Sequence, residues 1–227
     1  MRISRIGLSF PTLLIITVSI PIIQSYSPSL GGEQVQAQTV DAHFKEADLL
    51  NQQGKEQYNN GQFTAALLSF QQALSIYREI KNLRGEGNAL GYLGLAYYAL
   101  GNYAGAISYQ QQSLKIAIRI KDRKSESKIL GDLGSTYYSL GEYLRAINFQ
   151  QQSLKIAREI LDHQGEGRAL GYIGLAYYAL GNYFRAISYQ QQSLKIAIRI
   201  KDRQGEGRAL GYLGLTYYAL GDYTGAI

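Results

Sequence analysis

Apolar side chains recur at helical spacing along most of the chain. In the segment 167–206, Leu170, Ile173 and Tyr177 follow one another at intervals of three and four residues, which places them on one face of a helix. A second pattern of this kind begins after Gly181, and glycine adopts the left-handed conformation that commonly ends a helix. The segment is therefore predicted to form a helical hairpin.

The same segment is repeated along the chain. Residues 87–126 are identical to residues 167–206 at 34 of 40 positions. Self-similarity at such a period is typical of a solenoid, in which each unit buries its apolar face on the next. At the 40-residue period the array divides into 47–86, 87–126, 127–166, 167–206 and a truncated unit 207–227. We call these units 1 to 5, and we expect function to lie on a surface that repeats.

Polar and small residues recur at fixed positions within the units. Asn82, Asp122, Asp162 and Asp202 share one position and are predicted to cap the next first helix. Gly94, Gly134, Gly174 and Gly214 lie inside the first helices, where each costs about 1 kcal/mol relative to Ala. Ala106, Ala146, Ala186 and Ala226 recur in the second helices. We expect these small residues to let the two helix axes approach closely. Residues 38–46 form a lead-in, with Asp41 as the predicted cap of the first helix.

The recurring positions resemble the tetratricopeptide repeat. In unit 2 the matching positions are Leu90, Leu93, Gly94, Tyr97, Gly101, Tyr103 and Ala106, and units 3 to 5 repeat them. The resemblance implies an all-α fold, a right-handed superhelical solenoid of antiparallel helix pairs. The 40-residue period is similar to the subclass found in kinesin light chain and Pins-type adaptors. The leader and the GEGRALG-type repeats also resemble exported bacterial proteins whose array precedes a caspase-like (CHAT) domain.

One position departs from that family pattern. The family often has a large aromatic residue followed by Ala in the second helix, as Phe70 and Ala73 in unit 1. The later units have Gln110 with Ser113, Gln150 with Ser153, and Gln190 with Ser193. The packing along this line of the solenoid is therefore not predicted by the resemblance.

Residues 1–37 have a different composition from the array. Arg2 and Arg5 precede an apolar run over residues 11–23, and Val35 and Ala37 supply small residues at the −3 and −1 positions of a cleavage site. We interpret 1–37 as a signal peptide, with export to the periplasm or the extracellular space. The alternative is an uncleaved N-terminal membrane anchor. Because the sequence stops at Ile227, inside the second helix of unit 5, we also expect it to be a fragment of a longer protein.

The sequence offers little chemistry for catalysis. It has no Cys, and its two His residues, His43 and His163, occupy non-equivalent positions. We therefore predict no catalytic residue, no metal site and no small-molecule cofactor, and we classify the protein as a non-enzyme. The net charge is +6, but acidic residues are interspersed with the basic ones. Because no basic stripe forms, we expect no nucleic-acid partner.

The resemblance assigns a concave wall to three rows of positions on the first helices. The rows hold Asn88, Lys128, Arg168 and Arg208; Leu95, Ser135, Leu175 and Leu215; and Tyr98, Tyr138, Tyr178 and Tyr218. Tyrosines offer rigid amphipathic contact area, and the Lys and Arg could meet acidic groups of a ligand. The predicted ligand is a peptide or helix of a partner protein. Alternatively, the tyrosines pack between neighbouring hairpins, with only their hydroxyls in water.

Three functions are compatible with this pattern. The favoured one is a non-enzymatic scaffold for protein–protein interaction that binds its ligand in the concave groove. The second is a sensor or recruitment arm of a larger enzyme, with a caspase-like peptidase domain beyond residue 227. The third is a self-associating structural array, since near-identical units can stack end to end.

Overall fold

The computed structural model describes residues 31–222, with side chains from Gln38 onward. Within this range the chain forms nine α-helices and no strand. They are α1 (Gly31–Asn59), α2 (Phe63–Glu79), α3 (Leu83–Ala99), α4 (Tyr103–Arg119), α5 (Arg123–Ser139), α6 (Tyr143–Glu159), α7 (His163–Ala179), α8 (Tyr183–Ile200) and α9 (Arg203–Leu220). The chain divides into two units between Ala37 and Gln38, and the array belongs to the second. Most of the predicted signal peptide lies outside the described residues, and its cleavage point after Ala37 falls within α1.

The helices pair in chain order. The helices α3 and α4, α5 and α6, and α7 and α8 form hairpins, and each second helix also packs against the first helix of the next hairpin. The predicted all-α solenoid of antiparallel helix pairs is confirmed. The unit boundaries at Gly87, Ser127, Gly167 and Gly207 fall in the first turns of α3, α5, α7 and α9, because the period fixes the repeat length and leaves its starting point open.

The predicted helix ends are confirmed. Gly101, Gly141 and Gly181 end first helices with φ between +73° and +78°, a conformation that costs glycine little. The ends of the second helices were not predicted. There the left-handed residues are Lys81, Lys121, Leu161 and Lys201. The turns that link one hairpin to the next therefore use a conformation that is unfavourable for these side chains.

The predicted caps at the hairpin junctions are also confirmed. The side chain of Asn82 accepts a hydrogen bond from the backbone N–H of Gly85 at 2.9 Å, and Asp162 accepts from Gly165 at 2.9 Å. The prediction for Asp41 is wrong. Helix α1 already begins at Gly31, since Glu, Gln and Ala in residues 31–40 favour the helix. Asp41 lies within it and pairs with Lys45 at 2.7 Å.

The interior glycines of the first helices do lie at close helix contacts. A Cβ placed on Gly94 would lie 3.3 Å from the carbonyl oxygen of Ala106 and 2.7 Å from Cγ of Gln110. At Gly54 the nearest atoms belong to the Phe70 ring, at 2.6 Å. The close approach is thus as predicted, but the principal neighbour is the residue one turn beyond the alanine.

Buried polar side chains form the line of packing that the family resemblance left open. We call Gln110, Ser113, Gln150, Ser153, Gln190 and Ser193 the polar seam, and all six are buried. Gln150 Nε2 donates to the carbonyl of Gly131 at 2.9 Å, and Ser113 Oγ donates to the carbonyl of Gly87 at 2.7 Å. These side chains therefore join the second helix of each hairpin to the backbone of its first helix.

Among the described residues, no helix has the length and apolar character needed to cross a membrane.

Candidate functional site

The first helices form the inner side of the solenoid. Helices α3, α5, α7 and α9 contact one another in succession, and comparable contacts are absent between α4, α6 and α8. A stack whose first helices lie closer together curves toward them. We call the surface that these first helices form on the inner side the inner wall. Burial raises the pKa of Tyr58, and the charges of Asp132 and Tyr98 raise that pKa further.

The predicted row of polar and cationic residues is exposed on this wall. Asn88, Lys128, Arg168 and Arg208 all have exposed side chains. Lys128 Nζ lies 5.4 Å from the ring centre of Tyr92, and Lys55 Nζ of the preceding unit lies 5.0 Å from the same ring. Both distances suit cation–π attraction. Two ammonium groups therefore share one aromatic ring near the start of the wall.

The predicted leucines do not all have the same surroundings. Leu95 and Leu175 are half-buried and line surface pockets. Leu215 is exposed at 54 %, and it does not line those pockets. Ser135, which takes the equivalent place in unit 3, donates to the carbonyl of Gly131 at 3.1 Å. The apolar character of this row is therefore interrupted in the middle of the array.

The predicted tyrosines pack mainly within their own hairpins. Tyr98, Tyr138 and Tyr178 are half-buried, and each packs at a tilt on the first residue of its own second helix, with ring centres 5.4 to 5.7 Å apart. The Tyr98 hydroxyl lies 2.9 Å from Oγ of Ser139 in the next unit. Tyr218 differs, with 65 % of its surface exposed. Contact of these tyrosines with a ligand stays a prediction.

Two pockets open on the inner wall. Pocket A, of about 140 Å³, lies over Gly87 and Gly91, with Ile116 beneath them and Tyr92 and Lys128 among its other lining residues. Pocket B, of about 150 Å³, is lined mostly by the equivalent residues two units further along. They include Gly167, Gly171, Ile196, Tyr172 and Arg208. Pocket A brings together the predicted Asn88, Leu95 and Lys128, and pocket B brings together Arg168, Leu175 and Arg208.

Comparison with protein families decides what kind of array this is. A model described as tetratricopeptide repeat matches residues 85–159 and 165–227. The chain belongs to the tetratricopeptide repeat family. No curated protein matches it significantly. The resemblance drawn from Leu90, Gly94, Tyr97 and Ala106 is therefore confirmed at the level of the family.

Solved structures share the fold of this tetratricopeptide array. A putative kinesin light chain from Podosopora anserina has a TM-score of 0.64 at 20 % identity, over 79 % of this chain and 89 % of that one. A Rap protein complexed with competence and sporulation factor has 0.70 at 18 %, over 80 % and 51 %. A signal transduction ATPase with a tetratricopeptide repeat sensor, from Pyrococcus horikoshii, has 0.71 at 19 %, over 78 % and 28 %. The array thus spans about half of the Rap protein and under a third of the ATPase. At these identities the likeness establishes the fold.

One functional candidate on the tetratricopeptide array was missed by sequence reasoning. Asp132 of unit 3 lines pocket A, at the position held by Tyr92, Tyr172 and Tyr212 in the neighbouring units. Burial raises the pKa of the Asp132 carboxyl to about 6, although the charges of Lys128 and Arg168 lower it. A single acid in a row of tyrosines was the available signal. It makes unit 3 chemically distinct from its neighbours on the inner wall.

The site offers recognition chemistry. Over the described residues, no group of three or more His, Asp or Glu side chains is arranged to hold a metal ion. The inner wall does present cations, tyrosine rings and two apolar-floored pockets. Such groups bind another molecule by charge, stacking and burial of apolar surface.

Proposed function

We propose that this array is a non-enzymatic scaffold that binds a peptide or helix of a partner protein along its inner wall. The observation that carries the proposal is the combination, on one wall, of exposed cations with two pockets whose lining is partly apolar. A groove of this kind provides apolar anchoring sites and charged contacts, the two elements of peptide recognition.

The pairing of the arginines supports an acidic ligand. Arg78 and Arg158, away from the inner wall, pair with Glu86 and Glu166 of the next hairpins at 2.9 and 2.8 Å. Within the described part of the chain, neither Arg168 nor Arg208 forms such an ion pair. Arg168 lies within the electrostatic reach of Asp132, but neither arginine is held in a close ion pair. Their guanidinium groups are therefore available to a ligand, and they raise its association rate if it is acidic.

The related folds are consistent with this proposal. The Rap protein named above was solved in complex with competence and sporulation factor. In the Pyrococcus horikoshii ATPase the repeats are described as a sensor. That description favours our second candidate, in which this array is the sensor or recruitment arm of a larger enzyme with a caspase-like domain beyond residue 227. Sequencing the gene downstream of the codon for Ile227 tests that candidate.

Site-specific crosslinking tests the binding proposal. A photoreactive amino acid at Leu175, on the inner wall, is expected to crosslink to a defined partner segment in the native host. The same amino acid at the exposed Gln191 of α8 should not crosslink to that segment. The double substitution Arg168→Glu and Arg208→Glu is expected to reduce the Leu175 crosslink at least tenfold without loss of helicity by circular dichroism.

A matched charge change provides the control. Lys155 and Lys195 are exposed on the second helices α6 and α8, and Lys155→Glu with Lys195→Glu changes the net charge by the same amount away from the wall. That variant should crosslink as the wild type does. Equal loss in both variants would mean that net charge, and not the inner wall, governs binding.

We also infer that the chain is exported after cleavage of residues 1–37, with an uncleaved membrane anchor as the alternative. The support is the sequence pattern of that segment, with Arg2 and Arg5 before its apolar run. Mass spectrometry of the native protein tests this, because cleavage predicts a mature chain that begins at Gln38. A chain that retains residues 1–37 in the membrane fraction would favour the anchor.

A further inference from the structure

The two pockets of the inner wall are separated by exactly two repeat units. Gly87 and Gly91 frame pocket A, and Gly167 and Gly171, 80 residues further on, frame pocket B. The period of the sequence is 40 residues, so the two pockets lie two repeats apart. A ligand that follows the wall meets the same glycines and isoleucine in both pockets, whereas Asp132 of pocket A is replaced by Tyr212 in pocket B.

Unit 3 carries the residues that distinguish the stretch of wall between the two pockets. Its Ser127 takes the place of Gly87 and Gly167 and is buried, and its hydroxyl donates to the carbonyl of Ser153 at 3.0 Å. Its Asp132 replaces Tyr92 and Tyr172, and its Ser135 replaces Leu95 and Leu175. Ser127 adds a side chain to the floor, and Asp132 and Ser135 put polar side chains on the wall where the neighbouring units have tyrosine and leucine. The middle of the groove is therefore polar, between two pockets with apolar floors.

The size and rim of each pocket indicate what it holds. Volumes of about 140 and 150 Å³ are sufficient for a phenyl ring, since an apolar cavity of about 150 Å³ binds benzene. The floors contain isoleucine methyl groups of α4 and α8, from Ile116 and Ile196. Lys128 borders pocket A, and Arg168 and Arg208 border pocket B. Asp132 also lines pocket A and offsets the charge of Lys128 there, so charge complementarity with an acidic ligand is provided mainly by the two arginines at pocket B.

We propose that the inner wall recognises an acidic segment of a partner protein through two aromatic anchor residues, one in pocket A and one in pocket B, joined by a polar span over unit 3. This proposal rests on the proposed function, because it specifies the ligand of the same groove. Successive first helices contact each other, so two steps along the wall amount to ~20 Å at the usual helix packing distance. An extended peptide rises ~3.3 Å per residue and alternates its faces, which places the anchors about six residues apart.

The experiment uses the full chain and synthetic peptides as probes. The peptides are fluorescein-labelled Glu/Ser sequences with two Phe residues separated by two, four, six, eight or ten positions. The expected result is tightest binding at a separation of six. Replacing either Phe of that peptide by Ala should weaken binding about tenfold or more, and replacing Glu by Lys should abolish it.

Filling the pockets gives the second part of the test. Gly91→Leu and Gly171→Leu project a side chain into pocket A and pocket B, and each should reduce the two-Phe peptide to the affinity of the one-Phe peptide. Gly131→Leu is the control at the same position of unit 3, where the ligand has no anchor residue, and it should reduce affinity much less than either pocket substitution. If circular dichroism shows that a leucine variant does not fold, the variants Leu95→Ser and Leu175→Ser are used in its place. The fold tolerates serine at this position, because unit 3 carries Ser135 there.

The outcomes separate this inference from the proposed function. Binding that is lost in the variant with Arg168→Glu and Arg208→Glu, but is indifferent to Phe spacing and to Gly171→Leu, overturns the two-pocket inference and leaves the binding wall in place. Equal effects of Gly131→Leu and Gly171→Leu also overturn it. Absence of binding by every peptide, together with partner crosslinks from Gln191 instead of Leu175, overturns both.

Discussion

The hydroxyl of Thr136 lies 3.1 Å from Oε1 of Gln110, across the boundary between units 2 and 3, and 2.9 Å from the carbonyl of Asp132. Both side chains are buried. The equivalent pair two units later is Thr216 and Gln190. There the Thr216 hydroxyl donates to the carbonyl of Tyr212 at 2.6 Å, and Gln190 Oε1 has no donor among the described residues. The same two residue types therefore make an inter-unit hydrogen bond at one boundary and not at the other.

This difference predicts unequal effects of one substitution. Thr136→Val leaves Gln110 Oε1 buried without a donor, and it should lower the free energy of unfolding by roughly 1 to 3 kcal/mol. Thr216→Val removes no bond to Gln190, and its cost should be smaller by about 1 kcal/mol. Urea unfolding of the full chain, followed by circular dichroism, measures both. Equal losses would show that the hydroxyl of Thr136 does not stabilise this boundary.

Local sequence signals predicted most of the fold. The caps at Asn82 and Asp162 and the glycine ends at Gly101 and Gly181 depend on the conformation of a few adjacent residues, so a single repeat is enough to recognise them. Side chains such as Gln110 and Gln150 are polar and would ordinarily be placed at the surface. Their burial depends on carbonyls of a facing helix, as in the bond from Gln150 to Gly131. Such a bond cannot be read from one segment alone.

Only part of the candidate site was predicted from the sequence, because the rest depends on contacts between helices. The row of Lys128, Arg168 and Arg208 was implied by the resemblance to the tetratricopeptide repeat, and the structure exposes all three. The pockets were not predicted, because they arise from the absence of side chains at Gly87 and Gly167 combined with residues of two further helices. The role of Asp132 was also missed, since one acidic residue in a tyrosine row is conspicuous only once the row is known to line a pocket.

Two glycines of helix α5 should respond oppositely to alanine. A Cβ on Gly134 would lie 2.7 Å from Nε2 of the buried Gln150. A Cβ on Gly131 would make ordinary contacts, at 3.5 Å with Ser153 Oγ and at 3.8 Å with Gln150 Oε1. We expect Gly131→Ala to stabilise the protein by up to about 1 kcal/mol through helix propensity. Gly134→Ala should destabilise it by about 1 kcal/mol or more, because overpacking exceeds that gain.

Denaturant unfolding of the two variants tests this pair. Each is the control for the other, since both add one methyl group to the same helix. Hydrogen exchange at the amides of α6 should rise in Gly134→Ala, where Gln150 is displaced, and stay unchanged in Gly131→Ala. Stabilisation by both substitutions would show that Gln150 of the polar seam can move aside without lowering the free energy of unfolding.

A missing cap on α6 offers a stabilising substitution. Asn102 and Asn182 cap α4 and α8 by accepting from the backbone N–H groups of Gly105 and Arg185. The equivalent Glu142 makes no such bond and forms an exposed pair with Arg145, which contributes little. Glu142→Asn should therefore raise the free energy of unfolding by about 0.5 to 1 kcal/mol. Asn182→Ala should lower the free energy of unfolding by a similar amount, and urea unfolding measures both variants. If Glu142→Asn gave no gain in stability, a missing cap at the start of α6 would not be a source of instability.

The stability of the array should depend on pH through Asp132. Burial raises the pKa of this carboxyl from 3.8 to about 6, against the opposing charges of Lys128 and Arg168. Between these two values the folded state holds a proton that the unfolded chain has released. The free energy of unfolding therefore falls as the pH rises from about 4 to about 6. The full difference is roughly 2 to 3 kcal/mol for a shift of this size.

Substitution by asparagine isolates this effect from the other titrating groups. Asp132→Asn keeps the shape of the side chain and removes its charge, so it should be more stable than the wild type at pH 7.5 and about equal to it at pH 4. Measuring both proteins by urea unfolding at the two pH values gives the difference directly, and carbon NMR of the carboxyl reports its own titration. An offset of the same size at both pH values would mean that packing is responsible. A carboxyl that titrates near pH 4 would show that solvent reaches it, and it would contradict the predicted pH dependence.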